Sequence, residues 1–185
     1  MIISDQATHE QPPFDTHPAV CVSVIDIGTQ RREYKGVVKM LRRVRIGFQL
    51  PDCLRTIGEH AGKPFLMTEF YTTSLSEKAT LCTILESWRG RKFTEEEKRG
   101  FDLKNLLGAP CMLQVIEGNT GKAHIGGVTK MYKGLPTPQM VGGTQYLSLD
   151  NFDRAVFEGL SDGIKAMIEA SPEYQRLDDV EQAFG

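Results

Sequence analysis

Apolar and polar positions alternate along residues 37–50, the strongest local pattern in the chain. Val38, Met40, Val44, Ile46, Phe48 and Leu50 hold the even positions, with Arg42 the exception. Lys39, Arg43, Arg45 and Gln49 hold odd ones, so a strand here would bury one parity and expose the other. Pro51 ends it. An earlier β-branched run, residues 20–27, is closed by Gly28, and residues 28–36 read as a polar, basic loop between the two strands. Residues 52–63 read as a loop and 64–73 as a third strand. Ser74 or Ser76 can cap a helix running to Arg89, along which Ala79, Leu81, Ile84, Leu85 and Trp88 recur at helical spacing.

Thr94-Glu-Glu-Glu97 is a second capped helical start, and residues 103–107 form a short turn ended by Gly108. Residues 110–117 read as a fourth strand, 118–121 as a tight turn, and 122–131 as a fifth strand with a bulge at Gly126-Gly127. Three strands, a helix and two strands form the element order of the OB-fold barrel, whose strands two and three make a binding face. The expected fold is therefore mainly β with α: a five-stranded β-β-β-α-β-β barrel plus C-terminal helices. The chain divides into a flexible polar arm (1–18), the barrel (19–133), a Pro- and Gly-rich linker (134–149), a helical extension (150–171) and an acidic tail (172–185).

Charge sharpens this picture. The formal net charge of 185 residues is only −2, yet Arg31, Arg32, Lys35, Lys39, Arg42, Arg43 and Arg45 face a single acid, Glu33, while acids dominate from Asp150 onward. A basic patch and an acidic end are thus hidden by overall neutrality. Cys21, Cys53, Cys82 and Cys111 form no metal-binding spacing and are read as free thiols, which fits a reducing compartment. Met1-Ile-Ile-Ser-Asp5 lacks the features of a secretory leader, and no run reaches the ~20 apolar residues that span a bilayer. A cytoplasmic protein without a membrane partner is expected.

The segment FDLKNLLGAPCMLQV at 101–115 resembles one found in small bacteriophage-encoded proteins. LSEK at 75–78, LESWRGRKF at 85–93 and D-x-x-V-F-E at 153–158 belong to the same pattern. The resemblance spans residues 18–177, and its motifs are structural rather than catalytic. It implies an OB-fold protein of single-stranded-DNA-binding or replication type, acting in the cytoplasm of a bacterial host.

Phosphates require cations, and unpaired bases need flat surfaces on which to stack. Arg31, Arg32, Tyr34 and Lys35 in the basic loop, and Lys39, Arg43 and Arg45 on the second strand, are the expected nucleic-acid contacts. Tyr71 is the favoured stacking ring, and Arg89, Arg91 and Lys92 extend the positive track. Phe48, Phe65 and Phe70 read more simply as core. Trp88 reads as the anchor of its helix. At the C-terminus, Asp178, Asp179, Glu181 and Phe184 resemble the acidic tip with which bacterial single-stranded-DNA-binding proteins recruit replication partners, without its dense acidic run or Pro-Phe ending.

Enzymatic readings are weaker. Gly118-Asn-Thr-Gly-Lys lacks the spacing and hydroxyl of a phosphate-binding loop. His124 has no partner at recognisable spacing. Asp26, Glu33 and Glu69 would act as nuclease carboxylates only if the fold clustered them. The expectation is a protein of phage replication or recombination type that binds single-stranded DNA largely without sequence preference and has no catalysis, cofactor or metal. It would recruit replication or recombination proteins through the tail and could form a homo-oligomer. The alternative is an OB-fold protein-interaction module of a phage replication or packaging complex.

Overall fold

The computed structural model describes residues 10–184. Three long strands, Thr16–Tyr34 (β1), Val37–Leu54 (β2) and Pro64–Thr72 (β3), form an antiparallel meander. Pro110–Glu117 (β4) and Ala123–Thr129 (β5) form a hairpin, and β4 pairs with the first residues of β1, from Thr16 opposite Gln114 to Val20 opposite Pro110. Beyond β4, the same edge of β1 pairs in parallel with Gln145–Leu147 (β6). The result is a six-stranded sheet of order β3-β2-β1-β4-β5, with β6 beside β1.

This corrects the five-stranded barrel. Strands β3 and β5 approach each other, but they share no registered ladder, so the sheet is open between them. A sixth strand arises within residues 134–149, which the sequence presents as a linker. Local patterns locate five strands, but β1 extends past residues 20–27 at both ends and β2 continues through Pro51 to Leu54; β2 does lie between β1 and β3. Closure depends on long-range edge pairing, which no local pattern encodes. The single-stranded-DNA-binding role of a barrel face falls with the barrel, as does the OB-fold interaction module.

Two bulges set which side chains face which layer. The β1–β2 register slips between Cys21 and Ser23 and again between Asp26 and Gly28, so parity changes twice along β1. On the inner face Cys21, Val24, Val44, Ile46, Phe48, Met67 and Tyr71 pack into one core. It is covered by Thr80–Arg89 (α1), whose buried stripe is Leu81, Cys82, Leu85 and Trp88. The indole N–H of Trp88 donates to Pro110 O at 2.8 Å, and its ring lies 5.4 Å from Phe48. Trp88 is an anchor, as its spacing predicts. Helix α1 starts later than Ser74 or Ser76, at Ala79, which makes no side-chain cap. The next helix, Glu95–Arg99 (α2), has a complete capping box between Thr94 and Glu97.

A second core lies on the outer face. Ile25, Ile27, Leu147 and Leu149 meet Phe157, Leu160, Ile164 and Ile168. The last four belong to, or directly follow, Arg154–Glu158 (α3) and Asp162–Glu169 (α4). The helical region continues past residue 171, into the stretch read as an acidic tail. Pro172 opens the helix Pro172–Phe184 (α5), where the missing N–H of proline is harmless in a first turn. The sheet is thus sandwiched between helices on both faces, a mixed α/β arrangement. Among the described residues no helix is long and apolar enough to cross a membrane. Cys21, Cys82 and Cys111 are buried and all four cysteines are free; burial pushes the Cys21 thiol up to about 12.

Candidate functional site

Residues 28–36 are not a loop. Strand β1 runs on to Tyr34, paired residue by residue with β2 from Thr29 opposite Arg42 to Tyr34 opposite Val37. The Lys35-Gly36 turn has φ of 50° and 77°, the left-handed pair that joins strands with the right twist. Five residue pairs beyond the sheet, from Gln30 opposite Leu41 to the tip, make a two-stranded ribbon about 14 Å long. Every residue from Arg31 to Met40 is exposed.

An isolated two-stranded ribbon is marginal in water, so its root must be held. The held root is visible. The amide and hydroxyl of Thr29 donate to the Glu173 carboxylate at 2.8 and 2.6 Å. The Gln30 amide donates to Ile27 O at 2.7 Å and to Met167 O at 2.8 Å. Burial raises the Glu173 pKa, but the Thr29 bonds outweigh it, and the carboxyl ends below its ordinary value.

Opposed residues share a face of an antiparallel ribbon. One face carries Arg32 across from Lys39 and Tyr34 across from Val37, with Leu41 at its base. No acid lies on it. Arg43 continues the same parity down β2, and its pKa is lowered by burial and by repulsion from Arg32. The other ribbon face places Arg31 opposite Met40 and Glu33 opposite Val38. There Arg31 is bridged to Glu33 at 3.3 Å, which leaves that face near neutral. Lys35 sits at the tip, 5.3 Å above the Tyr34 ring.

The remaining predicted contacts scatter. Arg43 lies over the Phe70 ring at 5.4 Å and donates to Phe70 O at 3.1 Å. Arg45 reaches Thr68 Oγ1 at 3.3 Å. Tyr71 is 3% exposed and belongs to the inner core, so it is not a stacking ring. It shares the inward parity of Phe65 and Met67 on β3. Arg89 and Arg91 both bind Glu97, at 2.5 and 2.6 Å, so the one carboxylate offsets half of their charge and ties both guanidinium groups down. The two arginines and the Thr94 amide hold the Glu97 carboxyl well below the usual carboxylate range, the Arg91 bond contributing most. Lys92 is exposed. Asp178 and Asp179 lie on α5; the side chains of Glu181 and Phe184 fall outside the described residues.

Arg42, counted with the basic patch, turns inward. Its guanidinium bonds Asp26 at 2.5 Å and Asp150 at 2.9 Å. Asp26, Glu33 and Glu69 stand on separate parts of the sheet, opposite Val44, Val38 and Ile46. Among the described residues no group of three or more His, Cys, Asp or Glu is placed to hold a metal ion. Sequence reasoning missed the ribbon itself. The signal for it was Lys35-Gly36 between alternating residues, a two-residue hairpin turn overlooked because the flanks are so polar.

Compared with known protein families, curated proteins and solved structures, the chain matches none of them. The resemblance to phage-encoded proteins drawn from residues 101–115 finds no support there. The replication, recombination and viral roles it implied are withdrawn with it.

Proposed function

We propose that this chain is a binding protein whose cationic ribbon engages an extended polyanion. One observation carries the reading: Arg32 and Lys39 face each other on an exposed ribbon surface that has no acid. Like charges directly opposite are unfavourable unless an anion lies between or above them. Tyr34, Val37 and Leu41 on the same face add apolar contact area, and Tyr34, 73% exposed, presents its ring together with the Lys35 ammonium above it. Arg43, on the same parity of β2, and Lys35 at the tip extend the positive field.

Titration against heparin, polyphosphate, and single-stranded and duplex oligonucleotides at several salt levels tests this. Four cationic contacts would give a log-log salt slope of about −3 to −4. The double variant Arg32→Gln/Lys39→Gln should flatten the slope by about two contacts and keep the fold. Failure of every polyanion to bind, or binding that ignores the double substitution, would overturn the reading.

The opposite ribbon face supports a second reading. Val38 and Met40 are exposed there beside the neutralised Arg31–Glu33 pair, a surface suited to a second copy of the chain. Sedimentation that shows a monomer at all concentrations, unchanged by Met40→Glu, would dismiss it.

A further inference from the structure

On the outer face, away from the ribbon, a groove of about 550 Å³ lies between β3 and the chain entering β6. Of the residues lining it, Arg45 alone is charged. The others that can hydrogen-bond through their side chains are Ser23, Gln49, Thr68, Thr144 and Gln145. Arg45 makes one side-chain hydrogen bond, to Thr68 Oγ1, which uses one of five guanidinium donors. Among the described residues no carboxylate pairs with it, and burial lowers its pKa. A partly desolvated cation without a counter-ion is costly, and such groups are normally paired.

The groove is built rather than incidental. Its outer wall is pinned by Gln49, whose amide donates to Val141 O at 2.9 Å and accepts from Val141 N at 2.8 Å. This two-way bond fixes the strap of residues 141–145 over the sheet. The floor is backbone at Gly47, where a Cβ would stand 2.2 Å from Ser23 Oγ. Glycine there makes room for the Ser23 hydroxyl.

We propose that this groove binds the phosphate group of a small organic phosphate. A guanidinium recognises oxyanions through its planar fork. The Ser23, Thr68 and Thr144 hydroxyls come from β1, β3 and the strap, three directions that suit a tetrahedral group better than a flat carboxylate. The volume fits a ligand of nucleotide size. The proposal does not rest on the ribbon, so either can fail without the other.

Calorimetry and ³¹P NMR with inorganic phosphate and adenosine monophosphate test it, with acetate as the flat oxyanion. Both phosphates should bind the full chain, and Arg45→Gln should weaken them by about tenfold or more, as loss of a charged hydrogen-bonding partner does. Thr144→Val, on the exposed strap, should weaken binding less, and it keeps the test decisive if Arg45→Gln fails to fold. Arg32→Gln/Lys39→Gln should leave both phosphates bound as before, which separates this groove from the ribbon. Undiminished phosphate binding in Arg45→Gln, no binding by the parent chain, or acetate binding as tightly as phosphate would overturn it.

Discussion

Glu173 takes both donors of Thr29, so the first turn of α5 clamps the strand that becomes the ribbon. Residues 144 apart in sequence thereby decide whether the ribbon has a fixed root. Because Gln30 also binds Met167 O, the outer helical layer and the ribbon are mechanically one unit.

Glu173 has a depressed pKa, so its contribution is full above the ordinary glutamate range and is lost as pH falls through the lower, folded value. Acidification below the ordinary glutamate range should therefore loosen the ribbon root and α5 before the inner core. Hydrogen exchange at Thr29 would report this, since its amide is one of the donors. Glu173→Gln should remove the acid sensitivity at that amide; an unchanged pH profile in the variant would show that other groups cause it.

Gly28 sits at φ +69°, and a Cβ on it would lie 2.4 Å from both Ser171 Cβ and Ser171 Oγ. Ser171 is buried and its hydroxyl donates to Ile168 O at 2.6 Å, so it has little freedom to retreat. Gly28→Ala should cost more than about 2 kcal/mol, from the left-handed backbone and the overlap together. Urea denaturation measures it. A cost below about 0.5 kcal/mol, the range of ordinary surface substitutions, would mean that the helical layer is not seated against β1.

Arg42 and Asp26 join β1, β2 and the chain after β6, because Asp26 also accepts from the Gly28 and Leu149 amides. Arg42→Met removes the cation and leaves a carboxylate that is 13% exposed. The expected loss is about 2–3 kcal/mol, less than for a fully buried pair because Arg42 is a third exposed. The double variant Arg42→Met/Asp26→Leu should recover part of it. Equal losses in the single and double variants would deny the pair its role.

Trp88→Phe keeps a ring against Phe48 but loses the donor to Pro110 O. The variant should lose about 1–3 kcal/mol, from one buried hydrogen bond and unfilled volume. Thermal melting checks it, and a loss confined to the binding properties of the ribbon would contradict the assignment of Trp88 to the inner core.

Local chemistry was legible along the chain wherever one face of an element was buried. The alternation of Val44, Ile46, Phe48 and Leu50 specified β2, the helical spacing of Leu81, Leu85 and Trp88 specified α1, and Thr94 with Glu97 specified a capped start. These signals come from residues a few positions apart, so the sequence carries them unaided. It also carried the asymmetry of charge.

Only the tertiary structure decided what those charges do. Arg42, Arg89 and Arg91 look no different in sequence from Arg32 or Arg45, yet among the described residues three are paired with acids and two are not. Their partners lie 6 to 108 residues away, and screening or pairing depends on distance in space rather than along the chain. Likewise Val38 and Met40 continue the apolar parity of β2 but leave the core, because the sheet ends before they do and no described residue covers the ribbon. Whether β3 and β5 close or stay apart is settled by backbone pairing between edges more than fifty residues apart. Periodicity says which side of a strand is apolar. It cannot say where the partner strand stops.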